Sequence, residues 1–200
     1  MYPCKHSVCP LMEIELIALT QGKYAIVDKD DYEKLSKLKW HAHYRYGWYA
    51  RTGICTADGK RTTAFMHRQL LSTDADIDHQ NRNGLDNRRR NLRPCNKTQN
   101  MANRPKRAGT SSRFKGVFWW KRDKNWRARI QCNGHVENLG YYESEVNAAL
   151  AYNYAARQYF GEFACLNHIT PSEAARVMRA YRDKKRQAPV ALPLFAGMQF

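Results

Sequence analysis

The sequence predicts an α+β protein built from two small domains, and three observations support this prediction. Hydrophobic residues make up 43% of the 200 residues and aromatic residues 12%, which is enough to form packed cores. A polar, basic stretch containing Pro and Gly interrupts the chain at 103–112. Short alternating segments lie beside segments with helical spacing of apolar residues on both sides of that stretch. We therefore expect a linker at 104–112.

The net charge predicts a polyanionic partner. Lys and Arg number 34 against 18 Asp and Glu, so the formal charge is +16. A surplus of this size favours nucleic acid first and an anionic membrane surface second. The mean hydropathy is −0.76, and no apolar run approaches the roughly 18 residues of a transmembrane span. We expect neither a membrane span nor a secretory signal.

Cysteine spacing argues against two kinds of structural site. The six cysteines form no C-x-x-C pair, so a zinc ribbon lacks its ligands and a disulfide scaffold is not expected. Residues 1–11 are predicted to be a disordered leader, with Met12 as a candidate start. A metal contact by Cys4 and Cys9, with His6 between them, is the alternative.

The first domain is predicted to span 12–103. Its expected elements are a strand at 24–27, a helix at 30–38, a hairpin of 40–51 with 61–66 around Asp58-Gly59, and a helix at 91–103. The aromatic residues of the hairpin are Trp40, Tyr44, Tyr46, Trp48 and Tyr49. Alternation along the segment favours core and sheet packing for these side chains, and stacking on bases is the alternative.

The second domain, 113–168, is predicted to be a three-stranded antiparallel sheet packed on one helix. Strands are expected at 114–120, 126–131 and 135–139, with an Asn133-Gly134 turn before the last. In the middle strand, alternation separates an apolar face from a polar one. The apolar face carries Trp126, Ala128 and Ile130, and the polar face carries Arg127, Arg129 and Gln131.

Two helices complete the second half of the chain. Ser144 is expected to cap a helix ending at 160, because small and aromatic residues recur there every three or four positions. A last helix within 169–187 opens with a capping box of Thr170 and Glu173. Residues 188–200 are predicted to be an unstructured tail.

One segment carries residues suited to phosphodiester chemistry. It reads Met66-His-Arg-Gln-Leu-Leu71, then Ile77-Asp-His-Gln-Asn-Arg-Asn-Gly-Leu-Asp-Asn-Arg-Arg-Arg-Asn-Leu-Arg93. Adjacent residues on an extended chain point to opposite sides, so His79 is able to face a phosphate while Asp78 turns toward a helix behind it. Asn100 is then placed to reach back to Asp78, and Asn91 to tie the loop. A basic loop with a hydrogen-bonded surface Asp-His pair is the alternative.

Residues 65–103 resemble the HNH endonucleases, the ββα-metal nucleases, and in particular their homing branch. The match consists of the Asp-His pair, Asn91 twelve residues after His79, Asn100 nine residues later, and the Asn-Gly-Leu-Asp-Asn-Arg run. The resemblance implies an N-terminal ββα-metal nuclease domain in which His79 is the general base for the attacking water. An imidazole suits this task because its ordinary pKa is about 6.5.

The resemblance also implies a metal site. Asp78 and Asn100 would bind one divalent cation, Mg²⁺ or Mn²⁺, since both offer hard oxygen donors. That cation would contact a non-bridging phosphate oxygen and the leaving 3′-oxygen. Asn91 would hold the loop so that the histidine is aimed. His67 matches the His-Arg pair that precedes the motif, where we expect structural support rather than metal ligation.

Residues 113–167 resemble the APETALA2 or ethylene-response-factor DNA-binding domain, which lays its sheet in the major groove. The matching residues are Phe114-Lys-Gly-Val117, Trp126-Arg-Ala-Arg-Ile130, Leu139-Gly-Tyr-Tyr142, Ala148-Ala-Leu-Ala-Tyr152, Ala155-Ala156, Gly161, Ala164 and Asn167. The resemblance implies a polar face that reads bases, and lysines and arginines that bind phosphates. The base-reading residues would be Arg127, Arg129 and Gln131, and the phosphate-binding residues Lys115, Lys121 and Arg122. A small module whose charges are only solvated is the alternative.

Together these observations predict a site-specific homing endonuclease of the HNH type, free-standing or intron-encoded. Its partner is double-stranded DNA, and further DNA contacts are expected from Arg88, Arg89, Arg90 and Arg93. We expect a monomer with no membrane partner and no small-molecule cofactor, encoded by a phage or other mobile element and acting in the host cytoplasm. The alternatives are a non-catalytic DNA-binding regulator with a decayed nuclease domain and an RNA-binding protein that uses the aromatic hairpin.

Overall fold

A computed structural model of the chain describes residues 13–71 and 73–187. The predicted leader, with Cys4, His6 and Cys9, and the predicted tail at 188–200 lie outside the described residues. The chain divides into two compact units, with the division between Asn103 and Arg104. Helices and antiparallel strand pairs occur in both units, which confirms the α+β class.

The first unit contains seven strands and three helices in its described part, arranged as three small antiparallel sheets. In chain order the elements are β1 (Ile14–Ala18), β2 (Tyr24–Asp28), α1 (Lys29–Ser36), β3 (His41–Tyr44), β4 (Trp48–Cys55), β5 (Arg61–Phe65), α2 (Met66–Leu70), β6 (Asp76–His79), β7 (Leu92–Cys95) and α3 (Lys97–Ala102). The sheets are β1–β2, β3–β4–β5 and β6–β7.

One hydrophobic core joins β1, β2, β4, β6 and β7 with α1 and α2. Val27 of β2, Leu35 of α1 and Met66 of α2 are fully buried in it, together with Trp40. The indole Nε1 of Trp40 donates to the Leu35 carbonyl at 2.8 Å, so its polar atom is satisfied inside the core. The packing prediction is therefore confirmed for Trp40.

The segment predicted as one arm of a hairpin, 40–51, is two strands. β3 and β4 pair with each other through a turn at Tyr46 and Gly47, and β5 then pairs with β4. Tyr46 has a φ of +57°, in the left-handed region that an extended strand never uses. The alternating aromatic pattern hid this turn, because no Asn-Gly or Asp-Gly pair marks it. β1 was not predicted, although it pairs with β2 along five residues.

The prediction of a helix at 91–103 was wrong for the first half of that segment. A short 3-10 turn at Arg89–Asn91 leads into β7, and the helix begins only after Asn96. Asn96 accepts from the Gln99 N–H and Gln99 accepts from the Asn96 N–H, so a capping box sets the helix start. Pro94 lies inside the stretch that was predicted to be helical, where a proline disfavours a helix.

The second unit holds the predicted three-stranded sheet and its helix. Its elements are β8 (Val117–Trp120), β9 (Asn125–Cys132), β10 (His135–Tyr142), α4 (Glu145–Phe160) and α5 (Pro171–Gln187), with sheet order β10–β9–β8. The core between sheet and α4 contains Phe114, Val117, Ala128, Ala148 and Ala149. The small alanines of α4 allow the helix to lie close to the sheet.

The caps predicted for both helices of this unit are confirmed. The Ser144 hydroxyl accepts from the Val146 N–H, and the Thr170 hydroxyl accepts from the Glu173 N–H at 3.3 Å. β10 continues past its expected end at 139 and ends at Tyr142. Its pairing with β9 shifts register between Asn138 and Gly140, as at a β-bulge. Within 13–71 and 73–187, no helix combines the length and apolar character that crossing a bilayer requires.

Candidate nuclease site

The end of β6 places Asp78 and His79 on opposite sides of the strand. In the β6–β7 pair, Asp78 lies opposite Arg93 and His79 lies opposite Leu92. The side chain of Asp78 is directed to the side where α3 ends, and that of His79 to the side of Tyr49 on β4. The alternation of a strand thus separates the two groups that the sequence places next to each other.

The carboxylate of Asp78 is bound by two side chains. Arg93 donates to Oδ2 from Nε at 2.9 Å and from Nη2 at 2.8 Å. Asn103 donates from Nδ2 to Oδ1 at 2.9 Å and to Oδ2 at 3.0 Å. The side chains of Asp78 and Arg93 are only 7% and 13% exposed, so the ion pair is largely desolvated.

The sequence led us to expect that the Asn100 amide reaches back to Asp78. In the structure the amide that contacts Asp78 belongs to Asn103. Asn100 is half-buried on α3, and within the described residues its side chain makes no hydrogen bond to Asp78. Asn103 caps the C-terminus of α3 and also donates to the His79 carbonyl at 2.9 Å. The helix starts at Lys97, later than expected. Asn103, which lies nearly one turn beyond Asn100, is therefore the residue that contacts the end of β6.

His79 lies in a pocket of aromatic rings. Its ring centroid is 5.8 Å from that of Tyr49 and 5.1 Å from that of His67, both in edge-to-face contact. His79 is 6% exposed, and its Nε2 is buried with no hydrogen-bond partner within the described residues. Burial lowers the pKa of His79, and the nearby Asn87 amide and Asp78 carboxylate offset this only in part.

His67 supports this pocket from α2. Its ring stacks on Phe65 with centroids 5.5 Å apart and an interplanar angle of 6°. Burial, followed by the neighbouring His79, lowers the pKa of His67 to about 3. The ring is therefore neutral near pH 7, and its contact with His79 restricts how that imidazole turns.

Asn91 ties together the loop that connects β6 to β7. Its Oδ1 accepts from the Asn81 N–H at 2.9 Å, and its Nδ2 donates to the Asp86 carbonyl at 2.7 Å. The Gln80 N–H also donates to the Asn91 carbonyl at 2.9 Å. This buried amide thus joins both sides of the loop next to His79.

Asp86 is the buried carboxylate at the centre of the same loop. It accepts from Arg88 Nε at 2.7 Å and from Asn81 Nδ2 at 2.7 Å. Burial raises the pKa of Asp86, but the hydrogen bonds and charge of Arg88, together with the Asn81 amide, outweigh burial and hold that pKa below its usual value. The charge of Asp86 is thus balanced within the loop by Arg88.

The loop is also fixed to the rest of the first unit. Ile26 of β2 donates to the Leu85 carbonyl and accepts from the Asn87 N–H, each at 2.8 Å. Gly84 packs so tightly on β4 that a Cβ at this position would lie 2.5 Å from the Trp48 carbonyl oxygen and from the Tyr49 ring. Only glycine fits there, so the loop and β4 keep a defined spacing.

Three of the four loop arginines predicted to bind DNA form ion pairs with acids of this chain. Arg88 pairs with Asp86, Arg93 with Asp78, and Arg89 with Asp31 of α1. Arg89 keeps 54% of its side chain exposed, whereas Arg88 keeps 20%. Arg90 is exposed and has no ion pair within the described part of the chain. Of these four arginines, Arg90 and the exposed half of the Arg89 side chain are therefore the groups that face solvent.

In the second unit, the sheet face opposite α4 carries the predicted polar residues among aromatic rings. The Arg129 guanidinium lies 4.2 Å from the Phe118 ring centroid, and the Arg127 guanidinium lies 5.4 Å from that of Trp120. Arg127 Nε also donates to Asn138 Oδ1 at 3.1 Å, and Gln131 is exposed. Ring contacts of this kind hold the guanidinium groups in defined orientations.

The predicted phosphate contacts of this unit differ in their surroundings. Lys115 Nζ donates to the Arg104 carbonyl at 2.7 Å, and Arg122 pairs with the adjacent Asp123 at 2.8 Å. Lys121 is exposed. Lys115 and Arg122 thus bind groups of the second unit itself, whereas Lys121 is exposed to solvent.

Sequence reasoning missed four residues that surround Asp78 and His79. They are Tyr49, Asp86, Asn87 and Asn103. Asp86 and Asn87 stand inside the quoted Asn-Gly-Leu-Asp-Asn-Arg run, which was a usable signal. Tyr49 and Asn103 had no such signal, because only the tertiary structure brings β4 and the end of α3 to β6.

Comparison with known proteins assigns the family. No protein-family model matches the chain. An uncharacterized HNH endonuclease of Acanthamoeba polyphaga mimivirus is 30% identical over 158 residues, covering 77% of this chain and 80% of the relative. A match over 77% of the chain includes parts of both units and the segment that carries Asp78, His79 and Asn91. The chain belongs to the HNH endonuclease family.

Proposed function

We propose that the protein is a metal-dependent DNA endonuclease of the homing type, which hydrolyses a phosphodiester bond at His79. The observation that carries the proposal is the buried imidazole of His79, whose Nε2 has no hydrogen-bond partner in the described part of the chain. An unpaired buried nitrogen lowers stability, so its presence beside a bound carboxylate indicates a functional group. In this proposal β6, β7 and α3 form the ββα unit.

His79 acts in this proposal as the general base. Its lowered pKa keeps the imidazole neutral near pH 7, so that a ring nitrogen is free to accept a proton. The water oxygen attacks phosphorus as its proton passes to His79, and the bond from phosphorus to the 3′-oxygen breaks. Because Nε2 is covered in the free protein, DNA binding has to uncover it.

Asp78 and Asn100 are the proposed ligands of a divalent cation, Mg²⁺ or Mn²⁺. The basis for Asn100 is the resemblance of the motif, since in the free protein Asn103 and not Asn100 contacts Asp78. In the free protein Oδ2 of Asp78 accepts from Arg93 and Oδ1 accepts from Asn103, so a cation would have to displace at least one of these donors. Within the described residues no three His, Cys, Asp or Glu side chains cluster as a metal cage. Mg²⁺ suits a sparse set of ligands, since it keeps several waters. When bound, the cation would neutralise charge that develops on the phosphate and leaving oxygen.

Other residues of the site position His79. Asn103 holds the His79 carbonyl and the Asp78 carboxylate with one amide group, which fixes the end of β6. Tyr49 and His67 limit the rotation of the imidazole by ring contacts. Asn91 keeps the adjoining loop closed. These groups reduce the reorganisation that the reaction needs, because the base is aimed before substrate binds.

Metal-dependent cleavage is tested with supercoiled plasmid. We expect the full chain with Mg²⁺ to convert supercoiled plasmid to nicked or linear product, and an excess of EDTA to stop the reaction. Added Mg²⁺ in excess over EDTA should restore it, which is the control for damage to the protein. Equal cleavage with and without EDTA would contradict the metal requirement, and no cleavage with either Mg²⁺ or Mn²⁺ would contradict the nuclease proposal.

The second unit is proposed to choose the DNA site, as its likeness to the APETALA2-type domain implies. Nonspecific attraction to phosphates gives affinities of only about 10⁻⁴–10⁻⁶ M, so a nuclease of one site needs a separate reader. The support for this proposal is the face of Arg127, Arg129 and Gln131, whose guanidinium groups are oriented by aromatic rings. An oriented guanidinium is suited to bidentate contact with guanine.

Replacing Arg129 by alanine should reduce sequence preference. We expect the ratio of target to non-target affinity to fall about tenfold, since one bidentate base contact accounts for discrimination of this order. The measurement is competition binding with a target selected from a random duplex library. Arg157→Ala, an exposed arginine of α4 on the other side of the sheet, is the matched control and should leave the ratio unchanged. An unaltered ratio for Arg129→Ala would rule out this face as the reader.

A further inference from the structure

The turn between β3 and β4 exposes aromatic side chains that the fold does not use. We call residues 44–48 the hairpin tip. Tyr46 is 95% exposed and Tyr44 is 64% exposed, whereas Trp40, Ala42 and Ala50 of the same sheet region are buried. The core is thus supplied by other residues of this segment. The aromatic side chains of the tip leave apolar area in water, which marks a surface for a partner.

The backbone of the tip gives no reason for an aromatic residue there. Tyr46 has a φ of +57°, a region that favours glycine or asparagine and that bulky side chains rarely adopt. Gly47 follows with its carbonyl accepting from the Arg45 N–H at 2.8 Å, which closes the turn. A residue chosen only for the turn would therefore be Asn or Gly, and the tyrosine calls for a functional explanation.

Cationic groups alternate with the rings. The Tyr44 ring lies edge-on to that of Trp48 at 5.1 Å, and Lys23 Nζ lies 4.1 Å from the Trp48 ring centroid. Arg45, between the two tyrosines, is exposed. The chain has no acidic residue from Lys34 to Ala57. A surface of this composition complements a polyanion with stacked aromatic rings, which describes nucleic acid.

The hairpin tip lies close to His79. Tyr49 is the residue after the tip, and its ring contacts His79 at 5.8 Å between centroids. Tyr46 is three residues before Tyr49, and consecutive Cα atoms are about 3.8 Å apart, so the two Cα atoms are at most about 11 Å apart. With the further 5.8 Å between the Tyr49 and His79 rings, the tip still lies within one turn, about 34 Å, of a duplex whose phosphate is held at His79. The tight packing of Gly84 against Trp48 and Tyr49 keeps this spacing fixed.

We infer that the hairpin tip binds double-stranded DNA beside the cleaved bond, with Tyr46 entering a groove and stacking on a base. Lys23 and Arg45 bind the flanking phosphates. Insertion of a side chain between base pairs unstacks one step and unwinds the duplex, which would loosen the backbone next to His79. The inference rests on the proposed function for its location at the cleavage site, although DNA binding by the tip does not itself require catalysis.

The test measures DNA unwinding without cleavage. The full chain carrying His79→Ala, in EDTA, is added to relaxed closed plasmid, and a metal-independent type I topoisomerase then resets the linking number. We expect the parent to shift the linking number and Tyr46→Ala on the same background to lose the shift. Tyr154→Ala, an exposed tyrosine of α4, is the matched control and should keep it. Since Tyr46 is almost fully exposed, its replacement should leave the circular dichroism spectrum unchanged.

Salt dependence separates stacking from charge. We expect Tyr46→Ala to weaken duplex affinity about tenfold with an unchanged slope of log affinity against log salt, because stacking is uncharged. Arg45→Ala should instead reduce the magnitude of that slope by about one. Fluorescence anisotropy with a labelled duplex gives both quantities.

The outcomes distinguish this inference from the proposed nuclease function. A parent that does not unwind plasmid, or a Tyr46→Ala variant that unwinds and binds as the parent does, overturns the inference even if wild-type protein cuts DNA. Loss of unwinding in Tyr46→Ala supports it even if wild-type protein cuts no plasmid. Self-association that Tyr46→Ala abolishes, with duplex binding unaltered, would assign the tip to a second copy of the chain and would also overturn it.

Discussion

Replacing His79 by alanine should reduce plasmid cleavage in Mg²⁺ by roughly 10²–10⁴-fold, the usual contribution of a general base. The substitution removes the only group at this strand end that has a buried ring nitrogen without a partner in the described residues. It leaves the charged groups that would hold DNA in place, so duplex affinity should change by less than about twofold. Single-turnover cleavage and anisotropy binding measure the two effects separately.

His168→Ala is the matched control for this variant, since His168 is exposed and lies after α4. Its cleavage rate should equal that of the wild type. His79→Ala must also retain a cooperative thermal transition, because the imidazole packs on Tyr49 and His67 and its loss leaves a small cavity. Cleavage by folded His79→Ala at the wild-type rate would remove His79 from the mechanism.

Replacing Asp78 by alanine should have two separable effects. The buried Arg93 guanidinium loses its carboxylate, and breaking a buried ion pair on one side costs about 3–5 kcal/mol of the free energy of unfolding. Cleavage should fall more than about 10²-fold, because the proposed metal ligand is gone. Urea unfolding gives the first effect, and cleavage per folded molecule gives the second.

The double variant Asp78→Ala/Arg93→Met separates folding from catalysis. Removing both charges leaves no uncompensated ion of this pair, so we expect more than half of the lost stability to return. Cleavage per folded molecule should remain as low as that of Asp78→Ala. If the double variant cut plasmid at the wild-type rate, the role of Asp78 would be structural only.

Asp31→Ala supplies the matched control for the buried carboxylate. Asp31 also binds an arginine through two hydrogen bonds, from Arg89 Nε at 2.8 Å and Nη2 at 2.7 Å. The side chain of Arg89 is 54% exposed, so water solvates it when the carboxylate is removed. We expect a smaller loss of stability than for Asp78→Ala, and unchanged cleavage per folded molecule.

Local signals in the sequence predicted the second unit well. The Asn133-Gly134 turn, the alternation from Trp126 to Gln131 and the Ser144 cap each depend on neighbours within a few residues. Each signal therefore acts in the same way whatever the rest of the chain does. The three strands and the helix follow from them, with errors of only a few residues at the ends.

The first unit was harder to predict because its short strands depend on distant partners. β7 is four residues long, contains Pro94 and pairs with β6 across the loop, so its own sequence favours no strand. The helix prediction extended across it for that reason. The turn at Tyr46 was hidden by an alternating aromatic pattern that continued through it. In both cases pairing between strands outweighed local preference.

The sequence by itself determined the candidate chemistry of this protein: an acid and an imidazole adjacent on a strand, an asparagine twelve residues later, and a basic chain suited to DNA. Only the tertiary structure decided which groups meet. It places Asn103 rather than Asn100 on Asp78, gives Arg93 to the same carboxylate, and sets Tyr49 against His79. The physical reason is that residue types and spacing define which hydrogen bonds are possible, whereas burial and packing between distant segments select those that form.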